Sequence, residues 1–221
     1  MRFIIHELPY ERPLLAGRLR YLRDGAPMGA VESWRLTDAA EGYRFLRVDM
    51  DAREAPSGHS HLYHATLDPA GRLEQLKFRF WGQGHEVEGS VVSQGDEWIA
   101  SRRVDGRAYE DVARARAFWF PTASGLALLA DWAGATHGVR LALELSDPAR
   151  LLALEETPVV IEWGEAETQA IDGAPLAIRP LRVAWADQQR AVWLDADRRP
   201  LRLWRDDGLT AVAERLVRYE G

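Results

Sequence analysis

The chain contains no cysteine, which excludes disulfide frameworks, thiolate zinc sites and a cysteine nucleophile together. It is nearly as poor in lysine: of 28 basic residues, all but Lys77 are arginine. Long apolar runs are missing as well, since none approaches the roughly 20 residues that cross a bilayer as a helix. At the start only Phe3, Ile4 and Ile5 stand together before His6 and Glu7 interrupt, too short a run for a signal-peptide core. These absences predict a cytoplasmic protein with no integral membrane segment. A net charge of -6, with arginines interspersed among Asp and Glu, leaves no field favouring nucleic acid.

The common catalytic signatures are absent too. No phosphate-binding loop follows a strand; "GQGHEVEG" from Gly82 to Gly89 begins like one, but Glu86 and Glu88 would repel a phosphate. "ASGLA" around Ser124 lacks the Gly-x-Ser-x-Gly elbow and reads as a helix cap. Glu162, Glu165, Glu167, Asp49 and Asp51 alternate along predicted strands as a solvated face would, with no separation that marks a glycosidase pair. No cofactor is expected.

What is present is apolar and aromatic capacity. A hydrophobic content of 47% beside 28% charged residues reads as globular, and 221 residues give room for one large all-β domain. Nine tryptophans exceed what a minimal core needs, and large rings either fill wide interiors or line pockets.

Most of the sequence reads in period two, the signature of half-buried strands. "VRLALEL" puts Val139, Leu141, Leu143 and Leu145 on one face, and "PVVIEW" puts Val159, Ile161 and Trp163 together. In "YRFLRVDM" both faces are apolar enough to be covered. Asp24-Gly25, Asp105-Gly106 and Asp172-Gly173 supply the positive φ of tight hairpins. About a dozen strands at such spacing exceed one flat sheet and predict a curled one.

One region breaks the pattern: in "FWFPTASGLALLADWAG", Thr122 or Ser124 can cap a helix over about 124–133 that Gly134 stops. "DPARLLALEE" from Asp147 to Glu156 is a second helix candidate. "RAYEDVARARAF" and "LTAVAERLVRY" fit helix or strand equally. The fold class expected is mainly β, a curled antiparallel sheet (spiral β-roll or half-barrel) with one or two short helices. The whole chain, 1–221, reads as a single domain with a pseudo-repeat of roughly 1–120 and 135–221. The repeated outline is "HLYHATLDPAGRLEQLKFRFW" against "AVWLDADRRPLRLW", in which Asp68 and Asp195 end apolar runs as turn-capping residues do.

The sharpest chemical candidate is "HSHLYH". On a strand His59 and His61 share a face with Tyr63 while His64 projects from the other, so a metal site would need His59 and His61 plus His85 or a carboxylate from another strand. The other reading is of polar histidines leading a loop into a strand.

Two family resemblances follow from these segments. The order "FPTASGLALLADWAG", "GVRLALEL", "VVIEWGEAETQAIDGAPLAIRPLRVAW", "RAVWLDADRRPLRLW", "LTAVAERLVRY" resembles bacterial β-rich families of unknown function that are similar to lipoprotein-carrier half-barrels. "YRFLRVDM" followed by "LYHATLDPAGRLEQLKF" resembles the glycolipid-binding family with a spiral β-roll fold. The resemblance implies a curved antiparallel sheet around an apolar interior and a lipid or glycolipid site. The leading expectation is non-enzymatic binding of a lipophilic or glycolipid-like small molecule in an interior lined by Trp119, Trp132, Trp163 and Trp185. The alternatives are a metal-assisted hydrolase using His59 and His61, and an interaction protein that forms a homodimer through an exposed sheet edge.

Overall fold

A computed structural model describes residues 7–171 and 174–219. Eight strands follow one another as hairpins: β1 (Arg12–Arg23), β2 (Ala26–Asp38), β3 (Arg44–Ala52), β4 (His59–Leu67), β5 (Leu73–Gly82), β6 (His85–Gln94), β7 (Glu97–Val104) and β8 (Arg107–Arg114). Short β9 (Ala117–Trp119) leads into α1 (Ala123–Ala127), a 3-10 turn over Leu128–Trp132, β10 (His137–Leu141) and β11 (Leu154–Pro158). The chain returns through β12 (Val160–Trp163), β13 (Glu167–Ile171), β14 (Ala174–Trp185), β15 (Gln188–Leu194), β16 (Pro200–Arg205) and β17 (Leu209–Arg218).

Among the described residues, fourteen strands form one antiparallel sheet in the order β12-β14-β15-β16-β17-β1-β2-β3-β4-β5-β6-β7-β8, with β13 also on β14. β9, β10 and β11 make a second, three-stranded sheet. The large sheet curls without closing, as so many twisted strands must. Its β1–β17 pairing joins the first strand to the last, so one edge lies at β8 and the other at β12 and β13, which pair with successive stretches of β14. The β8 edge carries Arg107, Glu110, Asp111 and Arg114 around an exposed Val112, a charge pattern that discourages further pairing.

The hairpins arise where Asp-Gly pairs supply positive φ: Asp24-Gly25 joins β1 to β2 and Asp105-Gly106 joins β7 to β8. The third such pair, Asp172-Gly173, lies outside the described residues. The two related turns are built alike. Asp68 accepts from the Arg72 backbone N–H at 2.8 Å and from its guanidinium, and Asp195 does the same with Arg199 at 2.9 Å. The residue before each arginine takes positive φ, Gly71 at 82° and Arg198 at 61°. Both aspartates are therefore buried turn braces.

One face of the sheet is dry. β4 buries His59, His61, Tyr63, Ala65 and Leu67 in strict alternation, and β5 buries Leu76, Phe78 and Phe80. A single core draws on strands from β1 to β17. Three consecutive rings of the central segment pin it to this face, each against a different strand: Phe118 stacks on Trp98 at 4.5 Å, Trp119 meets Trp185 at 5.4 Å, and Phe120 stacks on Tyr63 at 4.4 Å. Such ring pairs are worth about 0.5–1.5 kcal/mol each beyond their burial. β3 is covered on both faces only at its middle, where Arg47 on the wet side is buried against Glu11, while Asp49 on that side stays exposed.

Two expected elements differ. The strand over 139–145 ends at Leu141, because Ala142 turns to exchange backbone bonds with Leu152 and Ala153. Residues 147–156 form no helix but a chain of turns with Leu152 at φ 55°, running into β11. Burying both Leu151 and Leu152 favours this compact loop over the one-sided burial of a surface helix. Helix α1 begins where expected, capped by the Thr122 hydroxyl, which accepts from the Gly125 N–H at 2.9 Å. The two segments that fitted helix or strand equally are β8 and β17. Among the described residues no helix is long and apolar enough to cross a membrane.

Candidate functional site

The wet face of the large sheet carries the chain's polar residues in cross-strand rows, because directly paired residues on antiparallel strands share a face. One row runs Arg18, Ser33, Asp49, Leu62, Arg79, Glu88 and Arg103 through consecutive pairings from β1 to β7. On one side of it lies Arg35, Arg47, His64, Lys77, Ser90 and Ser101; on the other, Val31, Asp51, Ser60, Trp81 and Glu86.

A groove of about 1540 Å³ opens over these rows from β17 to β6. Six arginines and five carboxylates line it, beside Val31, Leu62, Trp81, Val217 and Tyr219. The charges neutralise one another locally: Arg18 pairs with Glu214 at 3.3 Å, Arg35 with Glu7 at 2.5 Å and Arg53 with Asp51 at 2.6 Å. Such a lining presents both hydrogen-bond donors and acceptors with little net field. The wall at Arg47 is rigid, since Glu11 receives both of its terminal nitrogens, at 2.7 and 2.6 Å, and the Thr37 hydroxyl at 2.6 Å.

The four tryptophans expected to line an interior site lie in or against the core and away from this groove. Trp119 and Trp185 pack against each other in the core, 2% and 7% exposed. Arg140 and Arg190 cover Trp185, and Arg179 lies over Trp163. Trp132 and Trp163 are half-buried against the same core. None of the four lines the groove. Ser124 is buried and donates its hydroxyl to Glu32 at 2.6 Å.

His59 and His61 do share the dry face, their rings 5.0 Å apart beside Phe80. His61 Nδ1 bonds the Tyr63 hydroxyl at 2.8 Å, while His85 bonds Asp105 at 2.7 Å in another hairpin. Among the described residues no cluster of three His, Asp or Glu side chains is arranged to hold a metal ion. His64 projects from the wet face, edge-on to Phe45.

Burial sets the protonation of these rings. It depresses His61 to about 3, helped by the neighbouring His59, and lowers His59 as well. His64 falls to about 4 through burial, then through the charges of Arg47 and Lys77. All three are neutral in the fold but take up protons once unfolded, so their contribution is complete above pH 6.5 and lost as pH falls towards 3. Urea midpoints are expected to drop from pH 7 to pH 5, and His61→Gln should flatten that slope; an unchanged slope would refute the assignment.

The groove escapes sequence reasoning because its residues are scattered over seven strands. Strand polarity is legible at Asp49 or Arg79, but only the register brings them into one row.

No family model and no curated protein matches the chain. Among solved structures it is similar to a β-barrel-like protein of the domain of unknown function DUF1849 from Brucella abortus, at TM-score 0.58 and 12% identity over 95% of this chain and 99% of that one. At that identity the likeness establishes the fold alone. PNGF-II (TM-score 0.33, 8% identity, 95% of this chain and 28% of that one) is too distant for argument. So is a candidate lipoprotein from Parabacteroides distasonis (TM-score 0.35, 6% identity, 93% and 96%).

Proposed function

We propose that this is a non-catalytic binding protein whose wet-face groove holds the hydroxyl-rich head of a glycolipid-like amphiphile. The observation that supports the reading is the balanced lining of guanidiniums and carboxylates beside Trp81, Tyr219 and a few aliphatic residues. A neutral polyol offers donors and acceptors in turn and suits such a wall, whereas a strongly charged head would meet repulsion from one set or the other. Trp81, half-buried and directly paired with Ser60 and Glu86, gives a flat apolar surface for the C–H face of a ring. The aliphatic residues accept the start of an alkyl chain.

Calorimetric titration with octyl glucoside below its micellar concentration tests this. Saturable binding is expected, with Trp81→Ala weakening it about tenfold, the loss typical of a central aromatic anchor. Absence of binding would overturn the reading. Binding untouched by Trp81→Ala would move the site away from this groove, and a matching loss in Trp119→Phe or Trp185→Phe would place it in the interior.

A further inference from the structure

We infer that the wet face continues past the groove into a subsite for a tetrahedral oxyanion ester, the phosphate or sulfate group of an acidic ligand. A second groove of about 630 Å³ opens over β4 to β8 and shares Leu62 and Arg79 with the first. The inference rests on the reading of the first groove only for the remainder of the ligand.

The second groove stands on two adjoining rows. In one, Lys77 faces Ser90 and Ser90 faces Ser101; in the other, Arg79 faces Glu88 and Glu88 faces Arg103. Neighbouring strands lie about 4.8 Å apart, and residues two apart on one strand about 7 Å. An anion seated over Ser90 is therefore within reach of a lysine, two hydroxyls and flanking guanidiniums.

The polar groups are poised for an outside partner. Lys77, the chain's single lysine, is exposed and forms no ion pair among the described residues. The Ser90 and Ser101 hydroxyls line the groove with no hydrogen bond among the described residues. Glu88 stands between Arg79 and Arg103 at 3.5 and 3.7 Å, so one carboxylate serves two guanidiniums and holds both beside the serines. Glu110, across from Ser101, is the other carboxylate on the lining. Lys77, Arg79 and Arg103 against Glu88 and Glu110 leave this strip positive on a chain of net charge -6. A point-charge ammonium with hydroxyl donors on one side suits an oxyanion with several acceptor oxygens. Arg102 does not contribute, being buried on the other side of β7 against Asp111 and the carbonyls of Ala149 and Leu151.

The test is calorimetric titration of the full chain with glucose 6-phosphate, glucose and inorganic phosphate, beside flotation with phosphatidic acid or phosphatidylcholine vesicles. Glucose 6-phosphate is expected to bind at least tenfold more tightly than glucose, with an advantage that shrinks as salt is raised. Lys77→Gln, a change at an exposed position, should abolish that advantage and leave glucose binding unchanged. Retention on phosphatidic acid vesicles alone, lost in Lys77→Gln, would equally support the subsite and identify a lipid headgroup as the source. Equal affinity for both sugars with no vesicle discrimination overturns the subsite while leaving the first groove's reading intact. Binding of phosphate dependent on Lys77 but without any sugar or octyl glucoside binding overturns the first reading and leaves the subsite standing. Discrimination that survives Lys77→Gln overturns the assignment of this strip.

Discussion

Glu32→Ala is expected to lower stability by about 3–5 kcal/mol. Glu32 is fully buried on β2, on the dry face, and four donors converge on it. The Tyr21 hydroxyl and the Ala123 N–H meet one oxygen at 2.6 and 2.9 Å; the Ser124 N–H and hydroxyl meet the other at 2.8 and 2.6 Å. That is the full acceptor capacity of an ionised carboxylate. Truncation strands the first N–H groups of α1 and two hydroxyls in the core, each a loss of about 1–3 kcal/mol. Burial, followed by the Glu32 charge, raises Tyr21 well above its usual range, so the phenol stays a donor throughout. Chemical denaturation should show a lower midpoint with an unchanged slope, and backbone exchange across 120–134 should accelerate. Glu32→Gln should lie between, since the amide keeps one oxygen and turns a donor towards other donors. A loss under about 1 kcal/mol for the alanine variant would remove Glu32 as the anchor of the central segment.

Glu11→Ala is expected to cost about 3–5 kcal/mol by leaving Arg47 buried and unpaired. The Glu11 side chain has no solvent exposure and that of Arg47 has 10%. Burial alone would push the Glu11 carboxyl up, but bonds from Arg47, Thr37 and the Leu8 N–H, with the charge of Arg47, outweigh it and hold the group at about 2. Its folded value lies below the usual 4.5, so the stabilisation is complete above pH 4.5 and drains away as pH falls towards 2. Denaturation curves of the Glu11→Gln variant should accordingly be flatter than those of the parent over that window. In the double variant Glu11→Leu, Arg47→Met most of the loss should return, because an apolar pair leaves no isolated charge. If the double variant were as unstable as Glu11→Ala, packing and not charge would explain the site.

Different elements were legible to different degrees, for physical reasons. Period-two burial in β4 and β5 and the Asp-Gly hairpins depend only on neighbouring residues, so His59, His61 and Tyr63 on one face and His64 on the other could be read directly. The Asp68 and Asp195 turns are local for the same reason: brace and braced residue are four apart. The run after Leu141 was not legible, because its alternating leucines continue beyond the point where Leu152 and Ala153 capture the backbone of Ala142. The turns of 147–153 likewise obey a tertiary demand, the burial of two adjacent leucines, over a local helix signal.

The candidate site shows the same division. That Lys77 is the only lysine and that tryptophan is abundant are properties of the chain alone. Which tryptophans pack together and which border a groove, as Trp34 and Trp81 do, was decided by register, since Trp119 and Trp185 meet from segments 66 positions apart by sequence number. Sequence by itself determined a curled antiparallel β fold, a cysteine-free chemistry and the faces of its clearest strands, because these follow from local pattern and composition. Tertiary structure alone decided that a buried glutamate on β2 anchors α1 and that polar residues of seven strands form one groove, because both depend on pairings between residues far apart in the chain.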